Sequence, residues 1–139
     1  MTLTLDPQHL DATGKRSWRQ AMWRGFTCSC PACGSGHLFG KYLKVADSCD
    51  NCGEELHHHR ADDAPPYFTM FIVGHVVIPL VLVVEKLWAP SLTLHFMLWT
   101  AVTLAMTFAL MPAVKGSIVG LQWALRMHGF DYAAQREGE

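Results

Sequence analysis

The chain has 139 residues, enough for one ordinary domain or for a small domain joined to a membrane anchor. Half of the residues are hydrophobic and 17% are charged, which is apolar for a soluble chain of this length. A formal net charge of −1 supplies no field toward nucleic acid or anionic lipid.

Residues 1–27 read as a polar tail followed by a short amphipathic helix. Asp6 and Asp11 precede any lysine or arginine, so no secretory signal is expected. Between Ser17 and Phe26, Trp18, Met22 and Phe26 recur at helical spacing, with Trp23 alongside and Arg19 and Arg24 elsewhere on the wheel. Ser17 is placed to cap this helix and Gly25 lies near its end. Tryptophans beside arginines suit a helix in a lipid headgroup region, and they suit equally a helix packed on the module that follows.

Residues 28–56 carry the chemistry. Cys30-Pro31-Ala32-Cys33-Gly34 is followed, after the fifteen residues Gly34–Ser48, by Cys49-Asp50-Asn51-Cys52-Gly53. Two Cys-x-x-Cys pairs at that separation have the spacing of a four-cysteine zinc site. Each pair sits on a tight turn that aims two sulfurs at one point. The glycine after each second cysteine allows positive φ and the approach of backbone N–H groups to sulfur. All five cysteines lie within Cys28–Cys52, which favours metal ligation in a reducing compartment over a disulfide framework. A redox dithiol would need one such pair in a βαβ context, which is absent. With Cys30, Cys33, Cys49 and Cys52 all ligating, the ion has no open position and is structural; zinc and iron both suit four thiolates. Cys28 is left as a free thiol or a shifted alternative ligand. The intervening His37–Val45 stretch partly alternates in polarity, as a half-buried strand or hairpin does. A unit this small has little core of its own, so the metal contributes much of its folding energy. Its charges, Lys41 and Lys44 against Asp47, Asp50, Glu54 and Glu55, leave a net of −2, which excludes the basic footprint of a nucleic-acid-binding ribbon.

Residues 57–66 form a polar linker. His57-His58-His59 has the composition of a metal-capture tract, although on such a linker histidines are ordinarily solvated. Asp62 and Asp63, before Ala64-Pro65-Pro66, are positioned to cap the helix that follows.

Residues 67–111 read as a two-helix transmembrane hairpin. Tyr67–Val84 is eighteen residues without a full charge, and Leu92–Met111 a further twenty. As helices these measure about 27 Å and about 30 Å, the latter enough to cross a bilayer core. Glu85–Ser91 is the expected turn, with Glu85 and Lys86 as interfacial anchors. A soluble helical hairpin would need further elements to cover it, and the chain supplies none. His75 falls near mid-span, where Pro79 cannot donate to its carbonyl. Thr100 and Thr103 lie at similar depth to satisfy it. A packing hydrogen bond is the plain role for His75, and ligation of haem or copper, or proton carriage, the functional one. His95, near the loop end of the second span, cannot readily meet it. Residues 112–139 are expected to form an interfacial helix over Gly116–Met127 and a frayed tail from His128. Basic residues flank the hairpin on its N- and C-terminal sides, while the turn offers Lys86 alone, so both termini are expected on the cytoplasmic side.

The sequence resembles the bacterial membrane proteins grouped as domain of unknown function family 983. The resemblance runs from about Arg16 to Trp123. It rests on Cys30-Pro31-Ala32-Cys33-Gly34-Ser35-Gly36-His37-Leu38-Phe39, on Cys49-Asp50-Asn51-Cys52-Gly53 and on Asp63-Ala64-Pro65-Pro66-Tyr67-Phe68. Ile72-Val73-Gly74-His75 and Pro112-Ala113-Val114-Lys115-Gly116 complete it. Ser29 departs from the pattern, standing where a basic residue is expected, and Cys28 is an additional thiol. The resemblance implies a bacterial inner-membrane location and a link to respiration through haem–copper oxidases or their assembly.

The expected fold is therefore a small N-terminal β-type zinc ribbon on a two-helix membrane hairpin, with flanking amphipathic helices. No Ser/His/Asp pattern or phosphate-cradling loop is present, which points to a non-enzymatic interaction, accessory or assembly module. In that role Phe39, Tyr42 and Leu43 would face a partner, and the hairpin would dock on a membrane complex or on itself. The alternative is a redox or metal-handling protein whose working ligands are the cysteines or His75.

Overall fold

The computed structural model describes residues 16–60, 63–127 and 130. Contacts divide the chain into two compact units, residues 1–62 with 112–139, and residues 63–111. The tail over residues 1–15, Asp62 and most of the tail from His128 lie outside the described residues.

In the first unit, helix α1 spans Trp18–Phe26, and Ser17 caps it, its side chain accepting from the Gln20 N–H. Strands β1 (Phe39–Lys41) and β2 (Lys44–Val45) pair antiparallel as a short hairpin. Helix α1 packs within this unit, but not through the Trp18/Met22/Phe26 stripe. Ala21 and Gly25 are buried instead, while Trp18, Trp23 and Phe26 stay exposed. The reason is close helix approach. A Cβ on Gly25 would overlap the carbonyl of Gly116, and one on Gly120 would overlap that of Ala21. Ala21-x-x-x-Gly25 and Gly116-x-x-x-Gly120 thus bring two backbones together, as small residues four apart allow.

Gly116 and Gly120 belong to helix α3, which spans Leu92–Ala124 and runs unbroken through Pro112. The separate C-terminal helix expected from Gly116 is therefore the last part of α3. Proline inside a helix costs about 3 kcal/mol, so something must hold the residues beyond it. Tertiary bonds do: Lys115 Nζ donates to Leu43 O at 2.7 Å, and Trp123 Nε1 donates to Glu54 Oε1 at 2.7 Å. Gln122 Oε1 accepts the Arg60 N–H at 3.0 Å. The helix closes in a Schellman arrangement, with Arg126 at φ 55 and the Met127 N–H on Gln122 O. Val119, Trp123, Ala124 and Phe130 pack with Ala21, Leu38, Val45 and Leu56 in one core that also contains Cys30 and Cys49. The ribbon is therefore not coreless as expected: the end of α3 supplies the missing half. Phe130, expected in a frayed tail, is fully buried.

The second unit is a helical hairpin. Helix α2 spans Ala64–Trp88 and continues through Pro79, and Asp63 occupies its cap position without a side-chain bond, so Asp63 does not make the hydrogen-bonded cap expected there. Glu85 and Lys86 are helical, which shortens the turn to Ala89–Ser91, and Ala89 closes α2 in a left-handed conformation. Thr69 Oγ1 approaches Met111 Sδ at 3.7 Å at the open end. At the turn, Trp99 Nε1–H donates to His95 Nδ1 at 2.9 Å, and His95 Nε2 meets Glu85 Oε2 at 2.8 Å. Indole can only donate, so Nδ1 accepts and Nε2 carries the proton given to Glu85. Both α2 and α3 are long and apolar enough to cross a membrane.

Candidate metal centre

Two turns of like construction present the sulfurs. Gly34 N–H donates to Cys30 O at 2.8 Å and Gly53 N–H to Cys49 O at 3.0 Å. Both glycines have positive φ, 72° and 74°, as the spacing predicted. Each turn is closed behind the first cysteine, by Cys30 N–H on Gly36 O and by Cys49 N–H on Glu54 O. Backbone N–H groups then reach sulfur: those of Ser35 and Gly36 lie 3.4 Å from Cys33 Sγ, and that of Asn51 lies 3.4 Å from Cys49 Sγ.

The four sulfurs all lie within 4.8 Å of one another. Cys30 Sγ is 3.8 Å from Cys52 Sγ, and Cys33 Sγ is 3.7 Å from Cys49 Sγ. A tetrahedral ion bonded to sulfur at about 2.3 Å places its ligands about 3.8 Å apart. The donor set therefore fits a four-thiolate ion such as zinc, and leaves no position for water.

The thiols are not equivalent. Burial pushes Cys30 up, against the pull of the Cys33 and Ala32 backbone, and burial likewise pushes Cys52 up to about 11. Cys33 feels burial too, but hydrogen bonds from Asn51, Gly36 and Ser35 outweigh it and bring the thiol down to about 6. One anchor is thus ionised before any ion arrives.

Residues beyond the cysteines shape the site. Arg24, read in the sequence only as a polar position of the α1 wheel, turns its Nη1 to the carbonyls of Ala32 at 2.8 Å and Pro31 at 3.3 Å, which fixes the first turn. A Cβ on Gly36 would overlap Cys49 Sγ, so only glycine lets the two turns meet. The motif Gly34-Ser35-Gly36 carried that signal. Arg24 left none in the sequence, because its partners are carbonyls. Cys28 is not part of the cluster; at φ 59 it ends α1 in a Schellman arrangement, with Cys28 N–H on Gly25 O and Ser29 N–H on Arg24 O.

Residues 39–123 match the family described as Protein of unknown function (DUF983). The chain belongs to that family. The DUF983 match begins at Phe39, past Cys30 and Cys33, and takes in the second cysteine pair, both long helices and the α3 residues that pack on the ribbon. No curated protein and no solved structure matches the chain.

Within the DUF983 match, His75 does not meet Thr100 or Thr103 as expected. Its Nδ1 sits 2.8 Å from Phe71 O, one turn back on its own helix. A carbonyl only accepts, so Nδ1 carries the proton and Nε2 keeps its lone pair in the neutral ring. Of the three linker histidines, His57 and His58 come together with Glu55, while His59 Nδ1 turns back to Leu56 O at 3.0 Å. Tyr42 is exposed, whereas Phe39 and Leu43 are half-buried, the latter with its carbonyl on Lys115.

Proposed function

We propose that this DUF983 protein is a membrane-anchored structural metal ribbon that acts as a non-enzymatic interaction or assembly module. The observation that carries the reading is the closed donor set: four sulfurs at tetrahedral spacing, 3.7 and 3.8 Å along two edges. Zinc is the favoured ion and iron the alternative, and either would cross-link the two turns and hold Leu38, Val45 and Leu56 over the end of α3. What supports insertion of the hairpin is its surface. Phe71, Ile78, Leu82, Phe96, Met97 and Phe108 are all more than half exposed, an apolar area that water would not tolerate. Both termini would lie on the cytoplasmic side, following Lys41, Lys44 and Arg60 before the hairpin and Lys115 and Arg126 after it. Tyr42, exposed on the ribbon, would lie on the surface that meets a partner. The link to a haem–copper oxidase rests on family resemblance alone.

Affinity purification from native membranes, with metal analysis of the product, tests the reading. One zinc or iron per chain in the detergent fraction, together with a co-purifying membrane complex, supports it. Metal-free protein, or protein released by salt, overturns it. Unchanged oxidase content after deletion of the gene would remove the oxidase assignment and leave the rest standing.

A second reading, haem or copper handling through His75, draws on its geometry: the proton on Nδ1 is committed to Phe71 O, which leaves Nε2 for an ion. Purified protein without visible-region absorbance, functioning normally as His75→Ala, would eliminate it.

A further inference from the structure

The four-cysteine cluster is one of two groups of metal-competent side chains among the described residues; the other is Glu55, His57 and His58, whose ligand atoms lie within 4.8 Å of one another. We propose that these three form a second, open site for a divalent first-row transition ion, distinct in chemistry from the closed cysteine site. The proposal does not depend on insertion of the hairpin or on any partner.

The geometry fits an ion already. Oxygen and imidazole nitrogen bound at about 2.0–2.1 Å to one ion stand about 3 Å apart at right angles. His58 Nε2 and Glu55 Oε2 are 3.0 Å apart, and the His57 ring lies beside that of His58 with centroids 4.0 Å apart. In the metal-free protein the proton on His58 Nε2 fills the place the ion would take, because carboxylate only accepts.

The three residues are held on the ribbon rather than strung along a loose linker. Glu55 is bridged to Ser48, and the N–H groups of Leu56 and His57 both point to Asp47 O, at 2.9 and 3.2 Å. Leu56, between the ligands, is fully buried. His58 is set edge-on to buried Phe130 at 5.8 Å, which limits its rotation. Pre-ordering of this kind lowers the cost of binding, since fewer side-chain rotations are lost.

The donor set decides what binds. Two neutral imidazoles and one carboxylate favour borderline ions such as zinc, nickel and copper(II), and three protein ligands leave room for water or an incoming donor. Such a site exchanges its ion, whereas the thiolate site retains one.

The test uses the full chain in detergent, without a polyhistidine tag and with the cysteine site filled with zinc beforehand, titrated with Co2+. One further equivalent should bind, with the weak absorption of a nitrogen and oxygen site and no thiolate charge-transfer band. His57→Ala/His58→Ala should lose that equivalent while keeping its zinc. Glu55→Gln should weaken it at least about tenfold, by removing the charged ligand, and His59→Ala should leave it unchanged. Absence of a second equivalent in the wild-type chain, or its persistence in the double variant, overturns the proposal. Should the double variant lose its zinc, Glu55→Gln decides: unchanged cobalt affinity there is equally fatal.

Discussion

At the scale of single residues, the site depends on one missing methyl group. Gly36 is the point where the two cysteine turns touch, and Gly36→Ala would drive a Cβ into Cys49 Sγ. We expect the variant to bind less than about a tenth of the wild-type metal, measured as zinc per chain after purification. The thiols make a second statement. With Cys33 down to about 6, that sulfur is ionised at neutral pH, whereas Cys30 and Cys52, pushed up by burial, hold their protons until an ion displaces them. Loading the site at about pH 7–8 therefore releases at least two protons. Apparent affinity should fall at least about a hundredfold for each unit of pH lowered, and more steeply below Cys33's own titration at about 6. Competition with a chelator across that range measures the slope; a pH-independent affinity would contradict these thiol environments.

Among elements, the contact between α1 and the end of α3 matters most. It was written in the sequence as Ala21-x-x-x-Gly25 and Gly116-x-x-x-Gly120, but two such spacings do not say that they face each other. The stripe Trp18, Met22 and Phe26 was the louder signal, and it left open whether α1 faces lipid headgroups or the ribbon; the face that packs is Ala21 and Gly25. Gly116→Leu would have to displace the Gly25 carbonyl and the Leu38 side chain, which approaches a Cβ there at 3.3 Å. A loss of more than about 3 kcal/mol is expected, from overpacking at a backbone contact that cannot relax. Denaturant titration followed by tryptophan fluorescence reports it, since Trp123 sits in the same core. The hairpin turn shows the complementary case. Glu85 read as an interfacial anchor because a lone charge at the end of an apolar run usually is one; its partner His95, ten residues on, became visible only when the turn closed at Ala89–Ser91.

For the whole molecule, the division into two units sets what an ion can do. Cys30 and Cys49 are members of the core that joins α1, the ribbon and the end of α3, so removal of the metal strikes that core and not the hairpin. Structural zinc sites contribute on the order of 10 kcal/mol in small domains, comparable with the whole stability of such a unit. A strong thiol-competing chelator should therefore open residues 27–60 to protease while the fragment containing α2 stays intact, as followed by mass spectrometry. Simultaneous loss of both would show that the units are not separable.

The sequence by itself determined the two cysteine turns, their positive-φ glycines, the strand hairpin between them and the two long apolar helices. Each is a local matter, set by spacing, turn chemistry and hydropathy within a few residues. Only the tertiary structure decided that residues beyond Pro112 belong to the ribbon, that Arg24 braces the first turn, and that Glu55 meets His57 and His58. The first two depend on backbone carbonyls and bare glycines brought together from distant parts of the chain, 107 residues apart in the Arg16–Trp123 bond, and the third on the Ser48–Glu55 bridge and the Asp47 carbonyl, which hold the linker on the ribbon. A backbone carbonyl is the same in every residue type, and a glycine does not name its partner, so no side-chain pattern announces these meetings.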